Sequence, residues 1–367
     1  MDAANRKEKL MLFHRFRQFA TVLGLMLAAS LGITAQSQNP PSPPPTQDRQ
    51  SPSQPTTQDQ QSQAPAEDDN LQTFKAEVNV VNLFFNVKDK HGMLIPNLTK
   101  ADFEVMEDGK PQTIKYFSAE SNQPLTLGIM IDTSASQTRV LDIEQTSCAE
   151  FLRAVLRPKD LAFVINFDVD VDLDQDFTNN VHDLTRALNK VQINAGMGGG
   201  PPGLGGGPIP TTPRGTLLYD AIYLGANDKL KNEVGRKAMI VFTDGEDQGS
   251  RLRIQDAIEA AQKADTICYV ILIADRGFYG GFGYSGDYDM KKLAEQTGGR
   301  VIEVGNKQEK LRQAFDQIQN ELRSQYNIGY TPTNTKLDGS YRKIQLRAKA
   351  GEYKVQARQG YYAMAKD

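Results

Sequence analysis

Between residues 125 and 323, five near-continuous apolar runs alternate with helix-patterned segments, and this alternation narrows the fold more than any other feature of the chain. The runs fall at 125–131, 161–167, 237–243, 266–274 and 300–304. Helical periodicity is predicted over 140–156, 180–191, 217–230, 252–264, 287–297 and 308–324. Strands that are apolar on both faces and separated by helices predict a mostly parallel sheet covered on both sides. Lys159-Asp160 and Gly298-Gly299 supply turn and helix-stop signals ahead of two of the runs.

On either side the period changes to two. Val78, Val80, Leu83, Phe85 and Val87 alternate with polar neighbours, and Asp108-Gly109 reads as a hairpin turn between strands at 103–107 and 113–117. After Ser324, strands are predicted at 326–330, 341–348 and 353–358. Three strands at a chain end expose edges that need partners. We therefore expect 324–363 to pair with an N-terminal β unit at 71–120, with the α/β segment at 124–323 inserted between them.

The first residues predict export. Arg6, Lys7, Lys9, Arg15 and Arg17 precede an almost wholly apolar stretch at 19–33, and Thr34-Ala35-Gln36 offers a small-residue exit. This is the plan of a signal peptide over 1–35. The alternative is an uncleaved anchor, although the apolar run falls short of the roughly 20 residues that span a bilayer. Residues 36–70 are rich in Pro, Gln and Ser, a composition expected to form a disordered linker. We expect a periplasmic or extracellular protein, with membrane contact only through a retained 19–33. The net charge of −3 gives no reason to expect nucleic acid.

Oxygen ligands are delivered to predicted strand ends at three places. Asp132, Ser134 and Ser136 follow the first apolar run, Thr216 immediately precedes a helix, and Asp244 follows the third run. Ligands of open α/β sheets bind outside the carboxyl ends of the strands, and hard oxygens in that setting suit a hard divalent cation. Taken singly, the Asp132-Thr133-Ser134 run and Thr216 read more readily as helix caps than as ligands.

Together, Asp-x-Ser-x-Ser, the later Thr and the later Asp resemble the metal-ion-dependent adhesion site (MIDAS) of the von Willebrand factor A (VWA) domain. Asp108-Gly-Lys-Pro-Gln-Thr-Ile114 and Ser324-Gln-Tyr-Asn-Ile-Gly-Tyr-Thr-Pro332 resemble the acidobacterial VWFA-related family of exported bacterial proteins. The resemblance implies a doubly wound, Rossmann-like α/β sheet. It also implies Mg²⁺, with Mn²⁺ or Ca²⁺ as alternatives, held directly by Ser134 and Ser136, directly or through water by Thr216, and largely through water by Asp132 and Asp244. One coordination position would stay open for an Asp or Glu carboxylate of a partner protein. Ala135 stands where the family commonly has Gly.

Other signals are weaker. Acids alternate from Asp168 to Asp176, which reads as the solvated face of a hairpin or, alternatively, a Ca²⁺ site. The loop at 196–213 is rich in Gly and Pro but lacks the Gly-Lys-Ser/Thr end of a phosphate loop. A second loop, 278–284, combines aromatics and glycines after a strand end. Cys148 and Cys268 read as buried free thiols, with a disulfide as the alternative. The three histidines (His14, His91 and His182) build no convincing catalytic triad. The expected function is therefore Mg²⁺-dependent protein binding without catalysis. A structural envelope scaffold is the alternative, and a metal-dependent hydrolase is the least supported.

Overall fold

A computed structural model describes residues 80–119, 123–194, 215–273 and 286–364. The signal segment, the 36–70 linker and the loops at 196–213 and 278–284 lie outside the described residues.

The described residues open with β1 (Val81–Lys88), β2 (Phe103–Glu107), β3 (Lys110–Gln112) and β4 (Ile114–Ser118). The α/β body follows with β5 (Leu125–Asp132), α1 (Leu141–Val155), β6 (Leu161–Phe167), β7 (Val171–Thr178) and α2 (Val181–Leu188). It continues through α3 (Leu218–Leu224), prolonged by a π-helical turn over Gly225–Leu230, then β8 (Arg236–Thr243), α4 (Ile254–Lys263) and β9 (Thr266–Leu272). The body ends with α5 (Gly286–Thr297), β10 (Val301–Glu303) and α6 (Gln308–Arg323). The chain then returns through β11 (Tyr326–Tyr330), β12 (Tyr341–Ala348), β13 (Lys354–Ala357) and β14 (Gly360–Tyr362).

The central sheet has the order β10-β9-β8-β5-β6-β7. All its pairings are parallel except β6 with β7. Every residue of β5 and β8 is buried, as expected of strands covered on both faces. Two apolar layers form, one on each face of the sheet. One joins β5 side chains such as Leu127 and Ile129 to Leu152 of α1 and Phe315 of α6. The other joins Met130 and Phe163 to Leu218 of α3 and Ile258 of α4. Cys148 belongs to the first layer and Cys268 to the second, so both thiols are buried, free and on opposite faces.

The flanking strands form two four-stranded sheets, β13-β1-β11-β4 and β14-β12-β2-β3. Both combine strands from the two chain ends: in the first they alternate, with β11 between β1 and β4, and in the second the C-terminal pair β14-β12 joins the N-terminal pair β2-β3 through β12 and β2. Leu83 and Phe85 of β1, Phe103 and Val105 of β2, Ile328 of β11 and Ile344 of β12 share one core. Glu107 is buried within it and accepts hydrogen bonds from the hydroxyls of Tyr330 at 2.8 Å and Tyr361 at 3.1 Å.

Glu321, in the last turn of α6, fastens the sandwich to the α/β body. Lys88 of β1 donates to its Oε1 at 2.9 Å and Gln356 of β13 to its Oε2 at 3.1 Å, while Arg300 pairs with Oε1 at 2.8 Å. Gln356 also donates to the carbonyl of Gly298 at 3.1 Å. The seam lies at the amino ends of the parallel strands, leaving their carboxyl ends clear.

Candidate metal site at the carboxyl ends of the central strands

Strand order reverses at β5, whose neighbours are β6 on one side and β8 on the other. The crevice outside this switch point is where a doubly wound sheet binds ligands, and all five expected oxygen donors lie on the segments that border it.

Asp132 is the last residue of β5 and is wholly buried. Its Oδ1 accepts from the Ser134 amide at 3.0 Å, and its Oδ2 accepts from the Thr243 hydroxyl at 2.8 Å. The chain then turns through a short 3₁₀ segment, Ala135–Gln137, closed by the Gln137 amide donating to the Ser134 carbonyl at 3.0 Å. This turn brings the Ser134 and Ser136 hydroxyl oxygens to 2.9 Å from each other. Both serines are half-buried and Ala135 is exposed, so the hydroxyl pair sits in a partly accessible turn that follows a buried acid. A Cβ at 135 is accommodated on the solvent side.

Asp244 follows β8 directly, is 3% exposed and accepts from the Glu246 amide at 3.1 Å. Gly245 takes the left-handed φ of +87°, which turns the chain away from the site, and its amide donates to the Thr243 hydroxyl at 3.0 Å. Thr216 is buried, and its backbone exchanges hydrogen bonds with Gln248 at 3.0 and 2.9 Å. These bonds tie the start of α3 to the loop that carries Asp244.

The residue that links Thr216 to the Asp132 loop was not among the expected ligands. Asp168 directly follows β6, one position beyond Phe167, which pairs with Asp132 at the end of β5. It accepts from the Thr133 hydroxyl at 2.8 Å and from the Asn194 side chain at 3.4 Å, and its carbonyl accepts from the Leu217 amide at 2.7 Å. The expectation of a solvated hairpin holds for β7 as an antiparallel edge strand but fails for Asp168, which is only 8% exposed. Register shifts also interrupt the β6–β7 pairing. Thr243 and Asp168 could have been found from their places at the ends of apolar runs.

Burial raises the Asp132 carboxyl above the usual carboxylate range, the Asp244 charge adds to that, and hydrogen bonds from Ser134 and Thr243 only partly oppose it. Two buried acids that feel each other's charge, with the Ser134 and Ser136 hydroxyls in the adjoining turn, form an all-oxygen donor set with a surplus of negative charge. That chemistry fits Mg²⁺, Mn²⁺ or Ca²⁺. Among the described residues no cluster of three or more His, Cys, Asp or Glu side chains is placed to hold a metal, so this candidate depends on hydroxyl ligands.

No protein-family profile matches the chain, and no curated protein matches it. Solved structures do. BatB from Bacteroides thetaiotaomicron is 16% identical, with a TM-score of 0.40 over 54% of this chain and 98% of that one. The SpRpn10 VWA domain is 10% identical, with a TM-score of 0.37 over 53% and 95%. Proximal thread matrix protein 1 from the mussel byssus, solved with a zinc-occupied MIDAS motif, is 12% identical, with a TM-score of 0.43 over 58% and 48%. All three TM-scores lie below 0.5, so the fold is read from the strand order and its switch point described above.

Proposed function

We propose that this chain, whose α/β body has a von Willebrand factor A-type fold, binds a protein partner through a divalent cation held by Asp132, Ser134, Ser136, Thr216 and Asp244. The observation that supports the reading is the part-buried Ser134–Ser136 hydroxyl pair at 2.9 Å, in the turn whose Ser134 amide donates to buried Asp132. Bound there, the cation supplies an electrophilic centre for a carboxylate. The chain's own part is to hold that centre in place. Ser134 and Ser136 would ligate it as neutral donors, with Thr216 as the third hydroxyl. Asp132 and Asp244 would balance its charge from behind, with Asp132 oriented by Thr243. Neutral ligands leave the cation attractive to an Asp or Glu of the partner, which completes its coordination.

Binding rather than catalysis is favoured by the side chains that are present. Among the described histidines, His91 lies in an exposed turn of the sandwich and His182 on the exposed face of α2, where it contacts Arg186. Neither belongs to the loops that make the site. The basic and apolar opening of the chain supports export to the periplasm or beyond, and no helix among the described residues is long and apolar enough to cross a membrane.

Two measurements test the reading. Titration calorimetry of the full chain with Mg²⁺ and Mn²⁺ is expected to show one site that Asp132→Ala abolishes; equal binding by that variant would refute the ligand set. Partner capture from envelope extracts is expected to depend on Mg²⁺ and to be reversed by EDTA. A captured set indifferent to EDTA would leave the module as a scaffold whose VWA-type body is structural.

A further inference from the structure

Three polar side chains lie in the apolar interior immediately behind the metal loop. Gln137 closes the 3₁₀ turn, and Glu144 and Ser147 sit on the inner face of α1; each is 1% exposed. Both amide atoms of Gln137, both carboxyl oxygens of Glu144 and the Ser147 hydroxyl are buried without a hydrogen bond to any protein atom. Each such group is destabilising when buried unpaired. An interior retains them when they are joined through ordered water or serve a site.

Glu144 is the most costly of the three. It interrupts the apolar stripe of α1 between Leu141 and Cys148, where a leucine would pack without penalty. Burial favours its neutral acid, and Asp132 and Asp244 push the same way. A neutral carboxyl offers one O–H donor and one carbonyl acceptor. A primary amide offers the complementary N–H and C=O. Gln137 follows Ser136 directly, so whatever holds its amide also holds the turn that presents both serines.

We infer that Glu144 is a positioning residue of the metal loop, pinning the 3₁₀ turn by hydrogen-bonding, through an internal water shared with Ser147, to the Gln137 amide. The metal-affinity consequence rests on the proposed function, whereas the pinning of the turn does not. Two variants separate charge from shape. Glu144→Gln keeps a donor and an acceptor where the neutral acid has them. Glu144→Leu fills the stripe and removes both.

The full chain is compared with both variants in EDTA by hydrogen exchange, following the amides of Gln137 and Val140, which close the turn by donating to Ser134 and Gln137 carbonyls at 3.0 Å each. Glu144→Leu is expected to speed exchange at these amides about tenfold or more while the protein melts no lower than wild type. Glu144→Gln is expected to stay within about threefold of wild type. In calorimetry with Mn²⁺, Glu144→Leu is expected to bind about tenfold or more weakly and Glu144→Gln to be near wild type. Unchanged exchange in Glu144→Leu overturns the inference. Equal damage from Glu144→Gln overturns the neutral-acid role. Wild-type protein that binds no Mn²⁺ overturns the proposed function and leaves the exchange arm to decide the inference alone.

Discussion

Thr243 donates its hydroxyl hydrogen to Asp132 Oδ2 at 2.8 Å, joining the ends of two adjacent parallel strands that are distant in sequence. The same hydroxyl oxygen accepts from the Gly245 amide at 3.0 Å. One buried hydroxyl therefore orients the acid on β5 and closes the loop that carries Asp244. Thr243→Val keeps the shape and removes both bonds. We expect the variant to lose about 1–3 kcal/mol of stability, the cost of leaving a buried acceptor and an amide unpaired. Its Mn²⁺ affinity should fall about tenfold, because Asp132 is then free to rotate. Denaturant unfolding and calorimetry measure the two effects, and wild-type values in both would remove Thr243 from the site.

The pH dependence of the metal-free protein follows from the raised pKa of Asp132, caused first by burial and then by Asp244. An acid whose folded pKa lies above its unfolded value is protonated more in the folded state across the interval between them. Its contribution is then fully present below the unfolded pKa and is lost as pH rises toward the folded pKa. In EDTA, wild-type stability is expected to decline from acid conditions toward neutrality. Asp132→Asn, which carries no charge, should decline less and should be the more stable protein by a few kcal/mol at pH 8, since a tenfold difference in proton affinity between the folded and unfolded chain is worth about 1.4 kcal/mol. Saturating Mg²⁺ should reverse the order, because only the carboxylate balances the cation. Parallel stability–pH curves for the two proteins would contradict this origin.

The Asp244 loop is packed directly against the start of α5. A Cβ placed on Gly286 would lie 2.3 Å from the Gly245 carbonyl oxygen and 2.4 Å from its carbon. Because the obstacle is backbone, Gly286→Ala must displace the loop. Overpacking of this kind costs about 1–3 kcal/mol, and we expect an accompanying loss of Mn²⁺ affinity. Gly351→Ala is the control: nothing lies within 4 Å of its Cβ position. Melting curves and metal titrations of both variants should separate them, and equal behaviour would mean that the loop yields freely.

Much of this was legible in the sequence because the relevant signals are local. Eight buried residues in a row made β5 readable as a central strand, and Asp132 at its end fell where switch-point ligands belong. Asp168 has the same signature one strand over, yet the alternating acids after it looked like a solvated face. Its burial comes from contacts with Thr133, Asn194 and Leu217 that no local pattern contains. Glu144 did leave a trace, as the one acid inside the apolar stripe of α1, but only the tertiary structure shows that nothing in the protein pairs with it. The mixing of first and last strands within each sheet of the sandwich is likewise a property of pairing, with Val81 opposite Tyr330 and Leu346 opposite Val105.

Glu321 provides a test that spares the site. It is 2% exposed and is the shared acceptor for Lys88, Arg300 and Gln356, which come from both parts of the fold. Burial lowers the Lys88 pKa, and the Glu321 charge partly restores it. Removing the acid while leaving the cations in place uncovers buried positive charge, which typically costs about 3–5 kcal/mol. Glu321→Ala is expected to show that loss in denaturant unfolding. Adding Lys88→Met should recover part of it, since one stranded cation is then gone. Because the seam lies at the amino ends of the strands and the five oxygen donors at the carboxyl ends, Mn²⁺ affinity should stay within about twofold of wild type at temperatures where the variant is folded. A large loss of metal binding with little change in stability would instead mean that the seam and the site are energetically coupled through α6.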